Sequence, residues 1–255
     1  MIISLITATF NSGATLRDTF ESVLKQSFKD VEYIVVDGNS TDTTLEIIQE
    51  YEPKFGKRMK WISEPDKGIY DAMNKGISMA TGDVIGILNS DDFFADSKIL
   101  EIIAREIDGV DSVYGDLDFV NSENIREIVR QWKGSQYHRG AFLKGWHPAH
   151  PTFYTRKKCY DAFGGFDTSF DVSADFELML RFLEKGQISN KYIPYTFVKM
   201  RIGGESTGSL NKIIIGNKNI LRAFKKNGFK ISPFYTIRRL APKAINVMKN
   251  KLHRK

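Results

Sequence analysis

Four polar clusters carry residue types that can bind a charged ligand: TATFN at 7–11, Asp37 followed by GNSTD, SEPDKG at 63–68 and NSDD at 89–92. Each follows a short apolar run. NSDD offers two adjacent carboxylates, Asp91 and Asp92. Hard divalent cations take oxygen ligands, commonly one or two carboxylates plus substrate phosphates, so a metal bridging to a diphosphate is one reading. A cap for the segment near Asp96 is the other. Further on, His147 and His150 in GWHPAHPTF are flanked by prolines and do not share a helix face. They read as turn or core histidines, or as partners of a substrate hydroxyl, a phosphate or a metal. Asp175 lies at the start of ADFELMLRF, where the helix dipole favours a carboxylate. It reads equally as a cap or as a general base aimed into a cleft.

The elements that must position these residues alternate along the chain. Ile2 to Thr9, Val31 to Asp37, Met59 to Ser63 and Val84 to Leu88 are strand-like apolar runs. Between them, Leu16, Phe20, Val23 and Leu24, then Leu45, Ile48 and Tyr51, then Ile69, Met73, Ile77 and Ala80 recur at helical spacing. Strand–helix alternation predicts a parallel sheet with right-handed crossovers, whose ligands bind beyond the carboxyl ends of the strands. The four polar clusters lie at those ends. After about residue 110 the pattern loosens: DSVYGDLDFV and IREIVRQW read as shorter, antiparallel strands, Asp175 to Lys185 as a helix with Leu178, Phe182 and Leu183 inward, and Tyr192 to Met200 as a late strand. This second half is expected to extend the same sheet.

Several chemistries are excluded. No G-x-G-x-x-G follows the first strand and no Walker A sequence occurs. GESTG at 204–208 matches G-x-S-x-G, yet no acid follows Ser206 and the only later histidine is His253. H-E-x-x-H is missing. The 255 residues, 42% hydrophobic and 27% charged, have an ordinary globular composition. The lone Cys159 builds no disulfide framework and reads as a buried structural thiol. No apolar stretch is long enough to span a membrane, and MIISLITATF lacks the basic region of a secretory signal; a cytoplasmic location is expected.

TATFNSG, QSF, VEYIVVDGNSTD, SEPDKGIYDAMNKGI and ILNSDD, in this order and spacing, resemble the nucleotide-sugar half of family 2 glycosyltransferases with the GT-A fold. HPTFYTRK, GGFD, ADFELMLR and RIGGES resemble the acceptor half of bacterial members that build O-antigen, capsule or related polysaccharides. The likeness covers about residues 2 to 206. It implies metal-dependent, inverting, hexosyltransferase-type transfer from a nucleotide diphosphate sugar, most often a UDP-sugar, to an acceptor hydroxyl. On this sequence it implies that Thr7, Asn11, Asp37 and Asp66 line the nucleoside pocket, with Lys67, Asn74 and Lys75 near ribose or phosphates. Asp91 matches the metal-binding carboxylate of the family's D-x-D motif, with Mn²⁺ or Mg²⁺ as the ion and Asp92 beside it. Asn89 stands where the first Asp of that motif usually does. Asp175 matches the catalytic base, Ala174 replacing the Glu that often precedes it. Arg201 sits where members have a loop that closes over the donor.

Residues 212 to 255 hold 13 Lys or Arg and no acid, whereas residues 1 to 211 hold 24 basic and 31 acidic residues. Phe234, Ile237, Ala241, Ile245, Met248 and Leu252 recur at helical spacing among these cations. Such a helix suits an anionic membrane surface; in the other reading Ile213 to Ile215, Leu221 and Phe224 pack on the catalytic domain. The expected architecture is α/β: a GT-A, Rossmann-like, mixed and mostly parallel sheet flanked by helices over 1–209, with a nucleotide-sugar half at 1–110 and an acceptor half at 111–209. A basic amphipathic helical tail follows at 210–255. The expected protein is peripheral on the inner face of the cell membrane, takes a lipid-linked saccharide acceptor and binds no nucleic acid. The alternatives are a sugar-1-phosphate nucleotidyltransferase and a non-catalytic nucleotide-sugar-binding or membrane adaptor protein.

Overall fold

A computed structural model describes residues 1–203, 210–232 and 235–236, the side chains of 210–213 excepted. The GESTG segment and all six residues of the stripe from Phe234 to Leu252 lie outside the described residues. The first part alternates as expected: β1 (Ile3–Thr9), α1 (Leu16–Leu24), β2 (Val31–Asp37), α2 (Thr44–Phe55), β3 (Met59–Ser63), α3 (Ile69–Met79) and β4 (Val84–Ile87). Then come β5 (Phe93–Phe94), α4 (Ile99–Glu106), β6 (Ser112–Val120), β7 (Ile128–Trp132), β8 (Tyr154–Arg156), α5 (Lys157–Phe163), α6 (Ala174–Leu180), β9 (Asn190–Arg201) and α7 (Leu210–Lys226). A π-helical turn, Arg181–Lys185, prolongs α6.

One sheet runs through both halves in the order β3-β2-β1-β4-β8-β6-β9-β5, with β7 paired to β6. β1, β2, β3 and β4 are parallel, and β6 and β9 run parallel to each other. β8 is antiparallel to both β4 and β6, so the six long-range parallel strands point the same way and end on one edge. β7 and β5 also run reversed.

Apolar clusters cover both faces. One gathers Leu16, Phe20 and Val23 of α1, Ile47, Ile48 and Tyr51 of α2 and Ile99, Leu100 and Ile103 of α4. The other gathers Ala72 and Met73 of α3, most of α6, and Ala223 and Phe224 of α7. Strands covered on both faces are apolar throughout, which is why β1, β2 and β4 are buried end to end. Gly76 lets α3 lie close on the sheet: a Cβ there would come within 2.4 Å of Ile6 Cγ2. Ile69, expected on the inward stripe, is exposed in the first turn of α3. The basic tail begins as part of the core, since Ile220, Ala223 and Phe224 are buried, while Ile214, Ile215 and Leu221 face outward at 54%, 43% and 38% exposure. Among the described residues no helix is long and apolar enough to cross a membrane.

Candidate active site

The register places Thr9, Asp37 and Ser63 side by side where β1, β2 and β3 end. Asp37 is fully buried and accepts hydrogen bonds from Ser40 N (3.0 Å), Ser40 Oγ (2.5 Å) and Ser63 Oγ (2.7 Å). Ser40 Oγ in turn accepts from Asn11 N at 2.8 Å, and Asn11 Oδ1 accepts from Thr41 N at 2.9 Å. Asn11 takes a left-handed backbone (φ 48°), a conformation Asn tolerates. Asp66 Oδ1 accepts from Gly68 N at 2.8 Å, and its Oδ2 lies 2.4 Å from where a Cβ on Gly38 would stand, so only glycine admits that carboxylate. The structure therefore brings Asn11, Asp37 and Asp66 together.

Thr7 is elsewhere. It is fully buried, its hydroxyl donating to Leu88 O (2.8 Å) and bonded to Tyr33 OH (3.0 Å), so it braces the sheet instead of lining a pocket. Thr9 takes the place expected of it, two residues further along the same face of β1. Its buried Oγ1 has no hydrogen-bond partner among the described residues. Phe10, next in sequence and 62% exposed, overhangs Gly38. A threonine closing a strand with an aromatic directly after it was the available signal. Asn74 is engaged inside the protein: its amide pairs both ways with the backbone of Phe166, at 2.8 Å each. Lys75 is held by Pro65 O and Glu64 at 2.8 Å each. Lys67 is exposed, its backbone N–H donating to Asp71 at 3.0 Å.

Beyond β4, Asn89 Nδ2 donates to Asp92 Oδ2 at 3.0 Å, while Asn89 Oδ1 and Asp92 Oδ1 are buried without partners among the described residues. Burial pushes the Asp91 carboxyl above its ordinary value, while the nearby Arg201 guanidinium pulls the other way. Burial and the adjacent Asp91 charge push Asp92 well above its own. Asp92 is fully buried and stands behind the turn, whereas Asp91 is only partly buried and is the carboxylate presented. These oxygens suit a hard divalent cation completed by phosphate and water; no group of three or more protein ligands assembles among the described residues.

Arg201 differs from the expected loop residue. It ends β9, is 6% exposed, and donates to the Asp91 carbonyl and the Asp18 carboxylate, with its guanidinium 5.2 Å from the Phe93 ring. A buried fork bonded in this way braces the 89–92 turn.

Asp175 stands in the first turn of α6, directly after Ala174 and after Ser173, which is left-handed (φ 72°). Tyr70 OH donates to its Oδ1 at 3.1 Å, and His150 Nδ1 lies 3.1 Å from its Oδ2. His150 opens a 3-10 turn, His150–Thr152. His147 does not join it: its Nδ1 lies 2.8 Å from Pro148 O and its ring packs among Trp132, Phe142 and Phe176. Tyr70 carried no sequence signal separating it from the apolar side of α3.

A family model described as glycosyl transferase family 2 matches residues 4–172. The chain belongs to glycosyl transferase family 2. A PGL/p-HBAD biosynthesis glycosyltransferase of Mycobacterium bovis is 30% identical over 195 residues, which span 75% of this chain and 73% of that protein. TarS of S. aureus (residues 1–349), solved in complex with UDP, superposes with a TM-score of 0.65 at 19% identity, over 90% of this chain and 67% of that one. The chain spans 44% of a longer TarS chain. The mannosyltransferase PcManGT from Pyrobaculum calidifontis, solved with GDP-Man and Mn²⁺, gives 0.64 at 19% identity, over 92% and 67%. These likenesses place the family 2 chain in the GT-A fold, and membership sets aside the nucleotidyltransferase alternative.

Proposed function

We propose that this family 2 glycosyltransferase moves a sugar, with inversion, from a UDP-sugar to a hydroxyl of a lipid-linked glycan during synthesis of a bacterial surface polysaccharide. The observation that carries the reading is Asp175, whose two oxygens are each met by a polar partner, Tyr70 OH on one and the His150 ring nitrogen on the other. Asp175 takes the proton of the attacking hydroxyl. Asp37, Asp66 and Asn11, with Thr9 Oγ1 free to bond, receive the nucleoside, and the exposed Phe10 ring offers a face for the base. Asp91 and Asn89 would hold Mn²⁺ or Mg²⁺, which when bound stabilises charge on the departing diphosphate. Single displacement needs no covalent nucleophile. Kinship of fold with TarS, solved with UDP, supports the choice of nucleotide, and with PcManGT, solved with GDP-Man and Mn²⁺, the choice of metal.

The basic tail is proposed to rest on the anionic inner face of the cell membrane. The outward Ile214, Ile215 and Leu221 beside Lys218 and Lys225 support this.

Calorimetric titration of UDP, GDP and dTDP, with Mn²⁺ and with chelator, tests the donor reading. UDP is expected to bind only with metal, and Asp91→Ala to lose that dependence. Equal affinity with and without metal refutes the assignment of Asp91. Asp175→Asn is expected to bind UDP normally and to lose turnover.

A further inference from the structure

We propose that Tyr70 and His150 are positioning residues that jointly fix the plane and aim of the Asp175 carboxylate, an inference that rests on reading Asp175 as the base. An ionised carboxylate offers about four lone-pair directions. Tyr70 OH occupies one on Oδ1 and the His150 ring nitrogen one on Oδ2, each at 3.1 Å. The side chain cannot turn without breaking both, and each oxygen keeps a lone pair for an incoming hydroxyl. Asp175 is accessible for that purpose, with 22% of its side chain exposed, beside a His150 at 34%.

Both donors are themselves anchored. The Tyr70 ring stacks on Phe166, centroids 5.5 Å apart, and the Phe166 backbone is gripped by the Asn74 amide. This gives Asn74 a role two steps from the carboxylate. Burial and the Asp175 charge push the Tyr70 phenol far up, so it keeps the proton that it donates to Asp175. His150 lies between Pro148 and Pro151, in a turn closed by Phe153 N donating to His150 O at 3.1 Å. The buried Thr152 hydroxyl ties that turn to Gly115 O on β6 at 3.0 Å. Tyr70 comes from α3 and His150 from beyond β7, so Asp175 is sighted from two sides of the cleft. The pair supplies the second and third fixed points that a lone carboxylate after Ala174 lacks.

Two readouts test this in the full chain. The first is nucleoside diphosphate release from UDP-glucose, UDP-galactose and UDP-N-acetylglucosamine with Mn²⁺, alongside UDP affinity. Tyr70→Phe, which keeps the stacked ring, and His150→Ala are each expected to lower kcat about tenfold with UDP affinity unchanged. His150→Asn, which restores an N–H near Nδ1, should recover most of the loss. In an Asp175→Asn background neither change should lower the residual rate further. The second readout needs no turnover: imidazole ¹⁵N spectra at pH 8 should show His150 protonated at Nδ1, and Asp175→Asn should move that proton to Nε2. If Asp175→Asn keeps full turnover, the base reading itself fails. If that variant is inactive while Tyr70→Phe and His150→Ala keep wild-type kcat, the positioning inference alone is overturned. It is equally overturned if kcat and UDP affinity fall together, or if His150 is protonated at Nε2 in the wild type. Should none of the three sugars turn over, the spectra decide.

Discussion

Arg201→Met separates a structural brace from a mobile donor-closing residue. Methionine keeps much of the stem and removes the fork that donates to the Asp91 carbonyl and to Asp18. The bond from a charged donor to a carbonyl is worth about 1.5–3 kcal/mol. The pairing with Asp18, whose side chain is half exposed, adds at most about 1 kcal/mol. The guanidinium at 5.2 Å from Phe93 adds about 0.5 kcal/mol. Relief from burying a charge offsets part of the total, leaving a net loss of about 2 kcal/mol. For a chain of this length that lowers Tm by about 4–8 °C. The assay is thermal unfolding followed by circular dichroism, with UDP titration in Mn²⁺ as companion. Affinity should weaken, because the Asp91 turn loses its brace. Asp18→Asn, keeping the carbonyl bond, should lower Tm by no more than about half as much. A Tm within about 1 °C of wild type, with only UDP-sugar KM raised, refutes the brace and returns Arg201 to a loop that closes over the donor.

Glu32 is buried, which alone would raise its pKa, yet Lys60, Ser4 and Thr81 hold it down to about 2. A depressed carboxylate stabilises above its ordinary value of 4.5 and loses that contribution as pH falls toward about 2. Urea midpoints should therefore show Glu32→Gln less stable by about 2 kcal/mol at pH 7, the gap narrowing below pH 4.5 and closing only as pH nears about 2; a pH-independent gap refutes it. Gly76→Ala gains about 1 kcal/mol of helix propensity and loses about 1–3 kcal/mol by overpacking Ile6. Denaturant titration should show net destabilisation, smaller in an Ile6→Ala background, and a stabilised single variant contradicts the close approach. Ile214→Ser with Ile215→Ser should reduce co-sedimentation with phosphatidylglycerol vesicles at least severalfold; unchanged binding places any membrane contact off α7.

Alternation of apolar runs made β1 to β4 and the helices between them legible, because strands covered on both faces have to be apolar along their whole length. The polar edge of the sheet was legible too, since polar residues accumulate where such strands stop. Depth along that edge was not: Thr7 and Thr9 share a face, and only packing against Tyr33 and Leu88 shows which of them is walled in. Nor can spacing reveal partners far apart in sequence. Asn74 and Lys75 carry the right atoms for a ligand but spend them on Phe166 and on Glu64 with Pro65. Asp175 was readable as a carboxylate at a helix start, whereas its meeting with Tyr70 and His150 depends on three elements converging. The antiparallel pairing of β6 with β7 was anticipated, and the short reversed β8 was not.

That short strand also governs the order in which the molecule can be completed. β4 emerges from the ribosome with β1 as its only neighbour, and its other edge is filled by Tyr154–Arg156, synthesised long afterwards. Until then Val84–Ile87 is a bare apolar template on which another nascent chain can align. A fragment ending near residue 110 would keep that template permanently and be prone to self-association. The first 110 residues are thus a stretch of sequence rather than a separable body, and swapping them between relatives requires carrying β8 along.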